Sequence, residues 1–460
     1  MPYMKPIAEN ETQNITAVAS KLSRHKIGRF QKKLYPIEML GNYTVTDRDP
    51  ISILKENSKG RLRSLLPLRY ERMAQSPFSF YRGSASIMAS DLSLQPSTNM
   101  KLQACGDCHL LNFGGFATPE RKLVFDINDF DETSSAPWEW DVKRLAASFT
   151  IAGRDKGFTD LQCEEAAWTA ANSYRKHIAE YAEMSALQIW YAQINLEELI
   201  YSHKIKEMKQ FDPKQVKKAI NRTPHEKEFA KLTHNKNGHP SIKDNPPLIF
   251  HVPKDVESEF FTEASNAYSR YLRSLSHDKK TLLKRYTIQD VAMKVVGVGS
   301  VGTFCGVLLL MSATGDPLFL QFKEAHQSVL EPYAGKSKFK YHGQRVVEGQ
   351  KLIQSATDIF LGWTIDATGR QFYVRQMRDA KVKPVLETMD HDTFLRYARS
   401  CGWALSRAHA RTGDAAILKG YLGESESFED NITKFSTAYA NQNEKDYELL
   451  LIAMKNGNML

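Results

Sequence analysis

The chain has little cysteine: five residues in 460, an odd and small number that excludes a disulfide scaffold as the source of its stability and fits a reducing compartment. It also lacks a long apolar run. The segment from Val295 to Gly315, VVGVGSVGTFCGVLLLMSATG, is uncharged, but five glycines and several hydroxyl residues interrupt it, and only its Leu-rich centre is strongly apolar. No membrane span is expected there. The N-terminal MPYMKPIAENETQNIT has no apolar core of the kind a secretory leader needs, so cytoplasm is the expected location. No internal repeat is evident.

The composition, 42% hydrophobic and 25% charged, is that of a globular chain. Its length allows two or three lobes, each with a core of its own. The net charge of +9 is concentrated in SRHKIGRFQKK (23–33) and in the run from His203 to Lys243. A solvated face and a polar insertion account for both, and the basic insertion leaves a nucleic-acid partner open.

Helical periodicity dominates residues 1–100 and returns from Trp138 to about Ser202. A Lys-rich, Pro-punctuated insertion spans 203–247. After Asp290 the texture changes to short apolar runs with turn signals at strand spacing. The expected order there is strand, Gly turn, strand, TGDP turn and strand, then the helix QRVVEGQKLIQSATD, two strands around ATGR, and the helix HDTFLRYARSCGWALSRAHART. The fold class predicted is α+β, with a small antiparallel sheet lobe late in the chain and a mainly helical lobe. Its parts are a helical segment over 1–100, a helical-lobe part over 101–285 carrying the catalytic and metal loops, a β-rich nucleotide-binding lobe over 286–385, and C-terminal helices over 386–460.

The glycines Gly297, Gly299 and Gly302, with Ser300 among them, sit between β-forming stretches instead of opening a helix. That favours a hairpin whose amides approach phosphate oxygens over a dinucleotide-binding turn. Lys323 lies one strand further on, in LFLQFKEA, where kinases keep the lysine that pairs with the α and β phosphates and with a helix glutamate. Glu348 is the candidate partner, with Glu324 and Glu331 competing.

In CGDCHLLNFGGF (105–116), Asp107 precedes Asn112 by five residues, the separation kinase catalytic loops use for a base and a metal-binding amide. VFDINDFDE then gathers Asp126, Asp129 and Asp131. Carboxylates this close repel unless a cation offsets them, and Mg²⁺ prefers such oxygens alongside phosphate; an acidic turn with Asx caps is the alternative. Cys105 and Cys108 form one C-x-x-C to which His109 would add a ligand. No second pair completes a zinc site, so packing beside the loop is the better account.

GDCHLLNFG with DINDFDE resembles the G-D-x-H-x-x-N and I-D-F elements of the aminoglycoside-phosphotransferase-like branch of the protein-kinase-like fold. The resemblance implies Asp107 as catalytic base with His109 in its motif, Asn112 and Asp129 as metal ligands with Asp126 as rival, and Asp141 in WEWDVKRLA as a structural aspartate. Nearly the whole chain also resembles a bacterial family described as domain of unknown function 2252, through SPFSFYRG, GDCHLLNFG, NDFDET, PWEWDVKRLA, GVGSVGT, LQFKEA and QRVVEGQ. A conventional kinase places its Gly hairpin and lysine before the catalytic loop, whereas here Gly297 to Lys323 follow Asp107. The resemblance therefore implies a bilobal kinase-like fold that is circularly permuted.

The expected activity is ATP- and Mg²⁺-dependent phosphoryl transfer to a hydroxyl acceptor, a small molecule being favoured by the G-D-x-H form. Two alternatives remain: AMPylation of a protein by the same fold, and a nonenzymatic nucleotide-binding scaffold.

Overall fold

The computed structural model describes residues 20–44, 47–201, 211, 229, 231–236, 239–295, 301–377 and 381–459. Helices come first: α1 (Lys21–Leu34), α2 (Pro50–Asn57), α3 (Leu66–Met73), α4 (Pro77–Gly83) and α5 (Ala85–Ser93). Several start where the sequence signals a start. Asp49 caps α2 by accepting from the Ile51 amide at 2.9 Å, Ser76 caps α4 by accepting from Ser79 at 3.1 Å, and proline occupies the first helical position of both.

Four short strands follow: β1 (Lys101–Ala104), β2 (Phe113–Ala117), β3 (Leu123–Ile127) and β4 (Ser134–Pro137), with β1 paired to β4 and β2 to β3, both antiparallel. The two loops of chemical interest, 105–112 and 128–133, lie within this block, each close to a strand end. Then α6 (Trp138–Asp155) begins. Every residue from Trp138 to Gly153 is buried, so α6 is the axis around which α7 (Asp160–Tyr181) and the later helices pack.

Charges on a helix buried all round need partners. Glu139 accepts from Ser97 Oγ, Thr98 N and Thr98 Oγ1, at 2.8–2.9 Å. Asp141 and Arg144 reach the loop at 105–109, so the core helix itself sets that loop's position.

Next come the hairpin β5 (Thr233–Lys236) and β6 (His239–Ile242), the edge strand β7 (Ile249–Phe250) and α8 (Lys254–Tyr271), then β8 (Tyr286–Lys294), β9 (Cys305–Ser312), β10 (Pro317–Glu324), α9 (His342–Ile353), β11 (Gly362–Ile365) and β12 (Gln371–Gln376). The six-stranded sheet has the order β11-β12-β10-β9-β8-β7, antiparallel throughout. A two-residue strand, β13 (Lys381–Val382), then joins β2 in the helical region. Helices α10 (His391–Thr412) and α11 (Ser427–Lys455) complete that region. A Cβ on Gly402 of α10 would overlap the Ala170 carbonyl oxygen of α7; the bare glycine lets the two helices touch backbone to backbone. The fold class is thus mixed helix and sheet, with the larger sheet late in the chain.

Both faces of this sheet are covered, which is why the β9 run VLLLM reads as continuously apolar. On one face Leu308, Leu310, Leu318, Leu320 and Val374 pack with Tyr271 of α8. On the other, Val307, Leu309 and Phe319 pack under Ile242, with Phe229 and Leu232 against them. The described part of the stretch at 203–247 includes this hairpin, which covers the sheet. Among its described residues, Phe211 and Ile242 are buried among His, Asn and Lys neighbours that gave no sign of it. Among the described residues no helix is long and apolar enough to cross a membrane.

Candidate functional site

Along the face covered by β5 and β6 the strands change character. On β10, Phe319 is buried against the hairpin, whereas Gln321 and Lys323, two and four residues on, face a cleft of about 670 Å³. Their cross-strand partners in register are Arg375 and Tyr373 of β12. The opposite wall consists of Asp107, His109 and Asn112 from one loop and Asn128, Asp129, Asp131 and Glu132 from the other. Arg61, Arg72, Arg82 and Ser86 of the N-terminal segment line a third side. Seven basic side chains meet four carboxylates there, a balance that favours an anionic ligand.

The acidic loop is fixed from behind. Arg345 of α9 donates to the carbonyls of Thr133 at 2.5 Å and of Asp131 and His326 at 2.8 Å, and the Asn128 amide donates to Asn112 O at 2.7 Å. Asp131 accepts from Lys323 Nζ on one carboxylate oxygen and from Tyr373 Oη at 2.8 Å on the other. Burial alone would raise the Asp131 pKa, but Lys323 and the Tyr373 hydroxyl outweigh it and hold the group below the usual carboxylate range. Lys323 is raised in turn: burial works against its charge and the Asp131 carboxylate overcomes it. Asp129 goes the other way. Burial, then the Asp131 charge, push its pKa up against Lys323 and Arg375, and its carboxylate accepts the Asp131 amide at 3.2 Å. Two carboxylates two positions apart are thereby driven to opposite behaviour.

The loop at 105–112 hangs from α6. Asp141 accepts from the Cys105 and Gly106 amides at 2.6 and 3.0 Å and is itself approached by His409 Nε2 at 3.2 Å. Gly106 has φ +89°, and a Cβ there would overlap Glu132 O, so glycine is required where the two loops meet. Asp107 Oδ1 accepts from Arg144 Nε at 2.8 Å and Nη2 at 2.5 Å, while Asn112 Nδ2 donates to Asp107 O at 2.7 Å and closes the loop. His109 Nε2 lies 3.8 Å from Asp107 Oδ2. Burial, then Arg82 and Arg144, hold the His109 pKa well below its ordinary value, so the ring is neutral at pH 7.

Five of the residues predicted from sequence, Asp107, His109, Asn112, Asp129 and Lys323, line this one cleft. Asp126 does not. It is fully buried and accepts from Arg407 Nη2 at 2.8 and 3.0 Å and from the Ser355 amide at 2.8 Å. Glu348 is also elsewhere, bonded to Lys351 at 3.1 Å on its own helix, and Lys323 is paired with Asp131 instead. Of the competitors, Glu324 accepts from Phe304 N at 3.0 Å and Glu331 pairs with Arg345 at 3.3 Å. Gly297, Gly299 and Ser300 lie outside the described residues. Gly302 has φ +87°, and its carbonyl accepts from Leu62 N at 2.8 Å, which ties the end of the glycine run to the N-terminal segment. Cys105 and Cys108 are buried in the main core and form no disulfide; the Cys105 thiol donates to Asp129 O at 3.6 Å.

Sequence reasoning assigned no role to Tyr373, Arg375, Lys294 or the arginines of the first hundred residues. Alternation along QFYVRQ would have found the first two: Phe372 and Val374 turn inward, so Tyr373 and Arg375 share the face of Lys323. The arginines carry no such signal. No curated protein and no solved structure matches the chain. A family model does match, over residues 61–453, and the chain belongs to the family it describes, "Uncharacterized protein conserved in bacteria (DUF2252)".

Proposed function

We propose that this protein is an ATP- and Mg²⁺-dependent phosphotransferase with a circularly permuted kinase-like bilobal fold, acting on a hydroxyl of a small molecule. One observation carries the reading: Lys323 of the sheet faces the same cleft as Asp107, Asp129 and Asp131, which come from loops 192 or more residues earlier. A basic strand end opposite paired carboxylates is what phosphoryl transfer needs, because its barrier is lowered chiefly by positioning and charge.

A magnesium ion fits the residues present. The Asp129 carboxylate has its pKa pushed up by burial and by Asp131, a shortage of positive charge that a cation would relieve. Asn112 offers a second oxygen. Among the described residues no group of three or more His, Cys, Asp or Glu has metal-binding geometry; Mg²⁺ needs only one or two carboxylates when phosphates and water supply the rest. When bound, the ion would neutralise charge on the transferring phosphate.

The side chains divide the remaining work. Lys323, kept protonated by Asp131, and Arg375 hold phosphate oxygens from the sheet side. Asp107 is locked by two hydrogen bonds from Arg144 and accepts the proton side of the acceptor hydroxyl. Held in place by Arg144, it serves mainly to orient that hydroxyl. Neutral His109 adds no charge beside it.

Mass spectrometry after incubating the full chain with Mg·ATP and a pool of small alcohols tests this. Acceptor gaining one phosphate group is the expected result. Gain of AMP on protein would mean adenylyl transfer. A chain whose melting temperature does not respond to Mg·ATP would bind no nucleotide, and the proposal would fail.

A further inference from the structure

The N-terminal wall of the cleft is not used by the reaction above. Arg82 lines it, and its Nε is buried without a hydrogen-bond partner. Ser86 is 8% exposed, lines the same wall, and its Oγ also has no partner. Between them α5 begins. Ser84 gives this nine-residue helix no side-chain cap; its hydroxyl turns back to donate to Tyr81 O at 3.2 Å. The first amides of α5, at Ala85 and Ser86, have no acceptor within the helix, and both residues line the cleft.

Three kinds of donor thus converge on one place: a guanidinium, a hydroxyl and the amide end of a helix, whose dipole adds positive potential. Oxyanions fill such sites, and a buried donor left unsatisfied costs stability unless something accepts from it. The carboxylates acting most strongly on Arg82 are Asp107 and Asp129. The wall is therefore within electrostatic reach of Asp107, where the acceptor hydroxyl would sit, and of Asp129, the carboxylate that would hold Mg²⁺.

We propose that Arg82, Ser86 and the start of α5 bind a phosphate group already carried by the acceptor, so that the substrate is a phosphorylated small alcohol. This rests on the phosphotransferase reading. Such a substrate would come from a reaction that phosphorylates a polyol or sugar once, and would leave here as a bisphosphate. The transfer is balanced: the γ-phosphoryl of ATP forms a new ester with the free hydroxyl, the bond to the β-phosphate oxygen breaks, and the hydroxyl proton is released.

Calorimetric titration of inorganic phosphate into the full chain tests the site, with and without saturating Mg·AMP-PNP to occupy the nucleotide phosphates. Phosphate is expected to bind in both conditions. Arg82→Gln should weaken it about tenfold and Ser86→Ala about threefold, with nucleotide binding unchanged. Lys323→Ala should do the reverse. Phosphate displaced by the analogue, or phosphate affinity unchanged in both Arg82→Gln and Ser86→Ala, overturns the proposal. Should Arg82→Gln lower the melting temperature, Ser86→Ala alone decides. Arg82-dependent phosphate binding in a chain that never binds Mg·AMP-PNP supports the anion site and overturns the phosphotransferase reading alone.

Discussion

Asp126 and Asp131 stand five residues apart in VFDINDFDE and end in opposite surroundings. Asp126 is fully buried, its oxygens shared among Arg407 and the amides of Ser355 and Ile127. Asp131 keeps 24% of its side chain open to the cleft and takes Lys323 and Tyr373 as partners. A carboxylate whose lone pairs are all used by the protein is a fastener. One that faces a cavity beside a cation retains capacity for ligand, and it is the kind of carboxylate the proposed reaction would use.

That contrast breaks most visibly at Arg407. Removing one member of a buried pair leaves the other charge stranded, so Arg407→Ala should cost roughly 3–5 kcal/mol of folding free energy, measured as a shifted urea midpoint at constant slope. Replacing both partners by apolar residues of similar volume, Asp126→Leu with Arg407→Met, should recover most of the loss. If Arg407→Ala unfolds at the parent midpoint yet no longer responds to Mg²⁺, Asp126 belongs to the site after all.

The open pair should answer in the other currency. Lys323→Ala is expected to lower Mg·ATP-dependent turnover by about 10²–10³-fold, while the urea midpoint falls by less than in Arg407→Ala, because the stranded Asp131 keeps 24% of its side chain open to the cleft. Asp129→Asn should remove the metal dependence of nucleotide binding, read by calorimetry with and without Mg²⁺. A smaller effect is expected at Asp107, where Asp107→Asn keeps the Arg144 side of the loop: turnover falls by about 10²-fold and nucleotide affinity stays the same. Loss of nucleotide affinity in Asp107→Asn would move Asp107 from the acceptor to the phosphate side.

What the sequence made legible follows a physical pattern. The hairpins β8–β9–β10 and the helices α9 and α10 declare themselves through turn residues, alternation and periodicity within a few residues of one another. Lys323 could be placed at a strand end, and the Asp107 and Asp129 loops next to short strands, for the same local reasons. Partners were not legible. Arg407 meets Asp126 from 281 residues away, and Asp131 meets Lys323 from 192; nothing in either stretch names the other. Glu348 looked as good a partner for Lys323 as any, because helix phase alone does not say which face turns toward the strand. The arginines at 61, 72 and 82 were invisible for a related reason: single basic residues in a bend or a short helix look like solvated surface until the packing brings them over the cleft.

The finest test of the contrast is by pH, at Glu132, the next carboxylate along. Burial raises its pKa from 4.5 to about 7, against Arg345 and the Val329 amide, which donates to it at 2.8 Å. A folded-state value above the unfolded one means the folded chain holds the extra proton between these limits. Stability from this group is therefore present below about pH 4.5 and lost as pH rises to about 7. Asp129, raised for the same reason, adds a slope of the same sign beginning lower; Asp131, depressed, gives the opposite slope as its stabilisation is lost on acidification. Glu132→Gln should flatten the fall between pH 5 and 7, by about 1 kcal/mol after allowance for solvent at the cleft mouth, in urea midpoints taken across that range. An unchanged slope would show that Glu132 is ionised throughout, and that the acidic loop already has the positive charge it needs without a metal.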